Sequence, residues 1–298
     1  MAEYKGKLSA RHRNYLAAGL MILSALGFSA MQLMVRFSGS GGHFTVMEQA
    51  FFRNLVSLIA LFFILRKKKI PLFGDKAAHP WMFARSVTGL LGVICFFYAT
   101  SNARIADANI LNKLSPFVVM LFSVFLLRER LTVMRVVPLI VAFAGAWIVV
   151  GPSMDSAPSA MVVGLLSAVF AGAAYAFVAK LKGMADPLQV VMYFSAFSVA
   201  CTGVLMIPGF AMPTWEEFLY LCLIGVFASL GQVALTYSFH LAATSDVSIY
   251  NYSGIVWSAL LGWAFLGEAL PASSVLGGVL IVIASLLTFF HKKKAKSA

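Results

Sequence analysis

Charge is scarce in this sequence. Asp, Glu, Lys and Arg make up 11% of its 298 residues, against the ~25% usual in a soluble domain. So few charges cannot make a wettable surface for a 32.2 kDa globule. Cysteine is rarer still. Cys95, Cys201 and Cys222 each lie in an apolar run, where a thiol behaves as a small hydrophobe. Their spacing supports neither a disulfide framework nor a zinc site. His12, His43, His79, His240 and His291 lie near loops or helix ends without metal-ligand spacing. No GxxxxGK[ST] loop is present to cradle nucleotide phosphates, which argues against direct ATP drive by this chain. No GxSxG or Ser/His/Asp context points to a hydrolase.

What the sequence does have is apolar length. Hydrophobic residues form 61% of it, with 26 Phe and 14 Met, and the mean hydropathy is +0.89. Ten spans of about 20 residues would occupy about 200 positions, leaving only short loops and tails. Apolar windows punctuated by charge, Pro and Gly predict helices at 15–35, 44–65, 81–101, 105–127 and 132–151. A second set follows at 159–180, 187–208, 214–238, 245–266 and 271–290. The tails are 1–14 and 291–298, and 152–158 is a linker. The first span is too long for a cleaved signal segment.

The net charge of +12 fits this picture. Of 23 Lys and Arg, 18 fall on the side that holds both termini; Arg36 and Arg104 fall opposite, and Arg53, Arg85 and Lys113 lie within spans. Positive loops resist translocation, so both termini are expected in the cytoplasm, with the chain in the cell (inner) membrane. Short basic runs between apolar stretches suit lipid contact rather than nucleic acid.

The chain also repeats itself. At an offset of 139, Ala106-Asp107-Ala108-Asn109-Ile110-Leu111-Asn112 meets Ser245-Asp246-Val247-Ser248-Ile249-Tyr250-Asn251. The same offset pairs Gly92 with Gly231, Tyr98 with Tyr237 and Glu129 with Glu268. At a slightly different offset, Gly19 and Gly27 meet Gly164 and Gly172. Five spans per repeat is an odd number, so residues 15–151 and 159–290 must cross the membrane in opposite directions. The expected fold is an all-α polytopic membrane protein: ten transmembrane helices in two inverted five-helix repeats. Secondary transporters built this way bind substrate near the midplane, between the halves.

Leu126-Leu127-Arg128-Glu129-Arg130-Leu131-Thr132, running into Ala144-Gly145, resembles the junction of helices four and five in the drug/metabolite transporter superfamily. Its second copy is Phe265-Leu266-Gly267-Glu268-Ala269-Leu270-Pro271, followed by Gly277-Gly278; it lacks the two arginines of the first. Across nearly its whole length the chain resembles an EamA-type ten-helix exporter, most similar to bacterial exporters of aromatic and other hydrophobic amino acids. The resemblance implies efflux through a central cavity between the halves.

Polar residues within spans are the candidates for that cavity. Asn109, Asn112, Lys113 and Pro116 share one helical face. A Lys in mid-bilayer costs at least ~2.5–3.5 kcal/mol, so it faces a cavity or a partner. Two readings stand: Lys113 contacts a substrate carboxylate, or it pairs with Glu48. Glu48 in turn either carries a coupling step or is a structural ion-pair partner. Pro116 removes a backbone donor and is a candidate hinge. Tyr250, Asn251 and Trp257 in the ninth span either meet substrate or pack. Gln32, Tyr98, Tyr175, Gln232 and Tyr237 complete the substrate-contact candidates. Asp107 and Asp246 suit helix caps. The expected partners are a small-molecule substrate and the lipid bilayer, with no nucleic acid, cofactor, metal or ATPase subunit, and with the monomer as functional unit. An intramembrane enzyme would need clustered His or acidic residues, and a passive channel would need rings of like charge; neither pattern is present. Drugs, cationic compounds and nucleotide sugars are the rival cargoes.

Overall fold

The computed structural model describes residues 10–38, 44–102, 111–127, 132–150, 157–267 and 272–294. Ten long helices carry them: α1 (Ala10–Ser38), α2 (Val46–Lys67), α3 (His79–Asn102), α4 (Ser115–Leu127), α5 (Val133–Val150), α6 (Pro158–Lys180), α7 (Pro187–Met206), α8 (Trp215–Leu241), α9 (Ser253–Leu266) and α10 (Ala272–Lys294). The chain is an all-α membrane protein, and these helices correspond one to one with the ten expected spans. Five apolar segments, within α1, α2, α6 and α8 and from Pro187 to Gly209, are each long enough to cross a bilayer.

Local chemistry sets several ends. Thr45 caps α2 and Thr214 caps α8, each in a capping box with the Glu three residues on. Asp186 does the same for α7 with Gln189, and Pro187 follows at the first helical position, where its missing N–H costs nothing. Gly267 ends α9 at φ +65°, a left-handed conformation that other residues adopt only with strain.

Helix pairing carries the repeat into three dimensions. α1 packs mainly against α8, and α3 against α6; α2 packs against α7, and α5 against α10. Exchanging each helix for the one five places along turns α1–α8 into α6–α3, and returns the other two pairs to themselves. The contacts of α4 with α6 and of α9 with α1 are likewise exchanged. A two-fold relation between the halves explains this pattern. Small residues let the exchanged pairs approach closely. A methyl group at Gly27 of α1 would lie 2.9 Å from the backbone nitrogen of Gly231 in α8. One at Gly92 of α3, the repeat partner of Gly231, would lie 3.1 Å from that of Ala171 in α6. Backbone contact at this range is how helices associate where burial from water supplies no drive.

Two helices depart from the sequence expectation. The fourth and ninth spans were each expected to be continuous, and both are broken. Residues 111–112 are helical, 113–114 form a turn, and α4 starts at Ser115. The amide of Phe117 bonds the carbonyl of Leu114 rather than that of Lys113. Pro116 is the cause: it has no N–H, and its ring crowds the carbonyl four residues earlier. It stands in the first turn of α4, next to the break. The ninth span opens with a single turn, Thr244–Val247, continues as a 3₁₀ stretch, Ser248–Tyr252, and only then becomes α9. Ser248 donates to the carbonyl of Thr244 at 2.6 Å, and Ser253 to that of Tyr250 at 2.6 Å. Such back-bonding competes with regular helix. Asp246 lies inside the opening turn; its N-cap is Ala243, which makes no side-chain bond.

Candidate functional site

The two breaks meet. At the offset of 139, Lys113 corresponds to Tyr252, and the Tyr252 hydroxyl donates to the Lys113 carbonyl at 2.8 Å. That carbonyl is one the break releases. In hydrocarbon a released backbone acceptor needs another donor, and Tyr252, fully buried, supplies it. The side chain of Lys113 runs toward Gly254 on α9, where an added methyl would stand 3.5 Å from both Nζ and the Cβ of Ala25 on α1. Ser29, one turn along α1, donates to the Gly254 carbonyl at 2.9 Å and receives a hydrogen bond from Ser258 at 3.1 Å. Lys113 therefore stands where the fourth and ninth spans approach α1.

Asn112 donates to Ser167 of α6 at 3.0 Å, and Ser167 donates onward to the carbonyl of Gly164. This amide ties the first repeat to the second. Tyr250, in the 3₁₀ stretch, is 5% exposed and belongs to the main apolar core. Asn251 beside it is half-buried. Trp257 of α9 and Gln232 of α8 each bury a side-chain nitrogen, Nε1 and Nε2, that has no hydrogen-bond partner among the described residues. Tyr175 of α6 packs against Phe239 with ring centroids 5.8 Å apart.

Other expected contacts fall elsewhere. Tyr98 is 46% exposed and Gln32 is exposed. Tyr237, the repeat partner of Tyr98, packs against the satellite cluster of Leu61, Leu65, Leu188, Val191 and Met192 between α2 and α7. Asn109 lies outside the described residues, as do Asp107, Glu129 and Glu268.

Glu48 is fully buried but not paired with Lys113. One carboxylate oxygen accepts from the amide and hydroxyl of Thr45, at 2.8 and 2.9 Å. The other accepts from the amide of Ala211 at 2.7 Å, in the connection between α7 and α8. Both oxygens are used in capping and tethering, so of the two roles open to Glu48 neither the pair with Lys113 nor a free coupling carboxylate is what the structure displays.

Arg53 and Arg85 are further cations within the spans, outside the candidate site. Arg85 of α3 is 2% exposed, and its guanidinium carbon lies 3.7 Å from the ring centroid of Phe194 on α7. Arg53 of α2 lies 5.9 Å from the ring of Phe28 on α1.

A polytopic helical membrane protein whose halves exchange under a two-fold operation, with broken helices meeting at the junction, has the architecture of a secondary transporter. Residues 15–151 and 158–290 each match the EamA-like transporter family, and the chain belongs to that family. It is a membrane transporter of small molecules rather than an enzyme. The chain is 35% identical to the pseudopaline exporter of Pseudomonas aeruginosa over 92% of its own length and 96% of that protein's. It is 28% identical to an S-adenosylmethionine uptake transporter of Rickettsia bellii, covering 94% and 95%. It is 27% identical to a riboflavin transporter of Rhizobium johnstonii, covering 89% and 88%. A solved crystal structure superposes with a TM-score of 0.80 over 94% of this chain and 98% of that one, at 18% identity, and so shares the fold.

Proposed function

We propose that this transporter exports small amphipathic metabolites of amino-acid type, with aromatic and neutral hydrophobic amino acids as its first candidates. One observation carries the reading: Lys113 sits at the junction of the two broken helices, beside small and hydroxyl-bearing residues and, among the described residues, without a carboxylate partner. A half-buried ammonium of this kind is completed by a substrate carboxylate. Half-buried Trp257 and buried Tyr250 on the ninth span suit a flat apolar group. The similarity to an exporter supports the outward direction. The bias of basic residues supports cytoplasmic termini. Access alternates as one repeat rocks against the other, with the Tyr252–Lys113 junction near the pivot; a single chain contains both halves and serves as the working unit.

Export is tested in cells. Cells producing the protein should release labelled phenylalanine and leucine faster, and should tolerate toxic analogues better, than cells producing Lys113→Met at equal membrane abundance. Equal release and equal resistance across the amino-acid panel would defeat the reading.

A further inference from the structure

Several glycines of this chain have a plain structural reason. Some admit a neighbouring helix: an added methyl at Gly172 would stand 2.5 Å from the Cβ of Val118, and one at Gly225 would stand 2.5 Å from the Cβ of Val56. Others turn the chain at positive φ, as Gly183 and Gly267 do. Gly254 fits neither case. It is the second residue of α9, it is buried, and its φ is not positive. The nearest atoms to an added methyl stand at 3.5 Å, an ordinary contact distance. Alanine is favoured over glycine in a helix, so packing and backbone both permit a side chain that the position lacks. The atoms which that methyl would meet are the Cβ of Ala25 and the Nζ of Lys113. Gly19 and Gly278 also have room, but beside open space and the side chain of Val256. Gly89 gives the contrast: there Nη1 of Arg85 already fills the space, 2.7 Å from the methyl position.

The surroundings of this space are held in place. Tyr252, two residues before Gly254, fixes the root of Lys113 by its bond to the Lys113 carbonyl at 2.8 Å. Ser29 of α1 donates to the Gly254 carbonyl at 2.9 Å, and Ser258, one turn along α9, donates to Ser29 at 3.1 Å. Ala25, 2% exposed, closes the α1 side. The backbone of Gly254 and the root of Lys113 are thus tied down, while the ammonium ends short of the glycine. A carboxylate oxygen bonded to that ammonium would stand ~2.7–2.9 Å from Nζ, closer than the methyl position, and it is comparable to a methyl in bulk. The two cannot share that side of the ammonium.

We propose that Gly254 is a specificity-determining residue of the Lys113 site: its missing side chain keeps the space in which an amino-acid carboxylate meets the Lys113 ammonium. This rests on the exporter reading and adds to it a rule for what the site accepts. The end of the cargo that enters is a bare carboxylate. Ala25 and Gly254 leave room for little more, so an ester or amide of the same amino acid is refused on bulk as well as on charge.

The test begins with Gly254→Ala in the purified full-length protein. Its thermal unfolding midpoint should hold or rise, because alanine favours helix and the methyl meets only ordinary contacts. Calorimetric affinity for phenylalanine should fall by at least about tenfold. In a Lys113→Met background the same substitution should change affinity by no more than about twofold, since the space it fills has lost its charge. Native phenylalanine affinity in Gly254→Ala would overturn the proposal. A lowered midpoint with equal losses in both backgrounds would assign the glycine to packing and overturn it too. A second variant needs no cargo. Gly254→Cys, with the three native cysteines replaced by alanine, should react about tenfold faster with anionic sulfonatoethyl methanethiosulfonate than with its cationic trimethylammonioethyl counterpart. Adding Lys113→Met should remove that preference. No reaction, or no dependence on reagent charge, would overturn the proposal. Anion-selective labelling in a protein that neither binds nor moves phenylalanine would leave the space beside Lys113 standing and count against the exporter reading. Phenylalanine flux that depends on Lys113, with an inert thiol in Gly254→Cys, would do the reverse.

Discussion

Tyr252 and Lys113 occupy equivalent positions in the two repeats, 139 residues apart, and the hydroxyl of one donates to the backbone carbonyl of the other at 2.8 Å. Equivalent residues that touch across a two-fold relation lie close to its axis. This bond therefore lies close to that axis, and it satisfies an acceptor that exists only because the fourth span is broken. The position that carries a lysine in one half carries a tyrosine in the other, so the symmetric backbone holds an asymmetric site.

Removing that hydroxyl tests the structural part of the argument. Tyr252→Phe should keep the packing and lose the bond, costing about 1–3 kcal/mol because the Lys113 carbonyl is left unsatisfied in a dry interior. A lower thermal unfolding midpoint in detergent is the expected outcome. An unchanged midpoint would mean that another donor takes over.

Glu48 and Lys113 should act independently. Glu48→Gln disturbs the Thr45 capping box and the tether to Ala211, and should lower stability by roughly 1–3 kcal/mol. Lys113→Met should lower transport much more than folded yield. In the double variant the two stability changes should add to within about 0.5 kcal/mol. A larger coupling energy would bring back the ion pair that the geometry excludes.

The helix interfaces make a steric prediction. Gly27→Val places a branched side chain where even a methyl would come within 2.9 Å of the Gly231 backbone. Forcing α1 from α8 should cost on the order of 1–3 kcal/mol. Gly19→Ala, on the same helix with nothing near its added methyl, should leave the unfolding midpoint unchanged. The pair is read in one thermal assay.

Orientation can be read from outside the cell. A cysteine placed at Ser156 should react with an impermeant thiol reagent in intact cells once the three native cysteines are replaced. Labelling only after the membrane is opened would reverse the orientation drawn from the basic residues.

Much of this was legible in the sequence, for identifiable reasons. Ten spans followed from apolar length, and the repeat from polar matches that random apolar helices would not produce. Pro116 announced a defect, but not that Tyr252 would repair it, since one hydroxyl reaching 139 residues back is a fact of packing. Thr45-x-x-Glu48 is a readable capping box, but an acid at a span boundary equally fits an ion-pair partner, and only the fold decides between them. Tyr98 and Tyr237 match in the repeat, yet one is exposed and the other covers Leu61 and Leu65; equivalence of position did not give equivalence of surroundings. Arg53 and Arg85 were visible as charges in apolar runs. What the folded chain adds is their surroundings, the ring of Phe194 over Arg85 and that of Phe28 near Arg53.

Counterflow in liposomes tests the central claim most directly. Purified protein is reconstituted into vesicles loaded with unlabelled phenylalanine, and entry of labelled phenylalanine from outside is followed. Alternating access through a site completed by Lys113 predicts saturable counterflow by the native protein and, for Lys113→Met, a loss of apparent affinity of about tenfold or more with the fold intact. Equal counterflow by both proteins, or none above empty vesicles for amino acids and their carboxylate analogues alike, would contradict it.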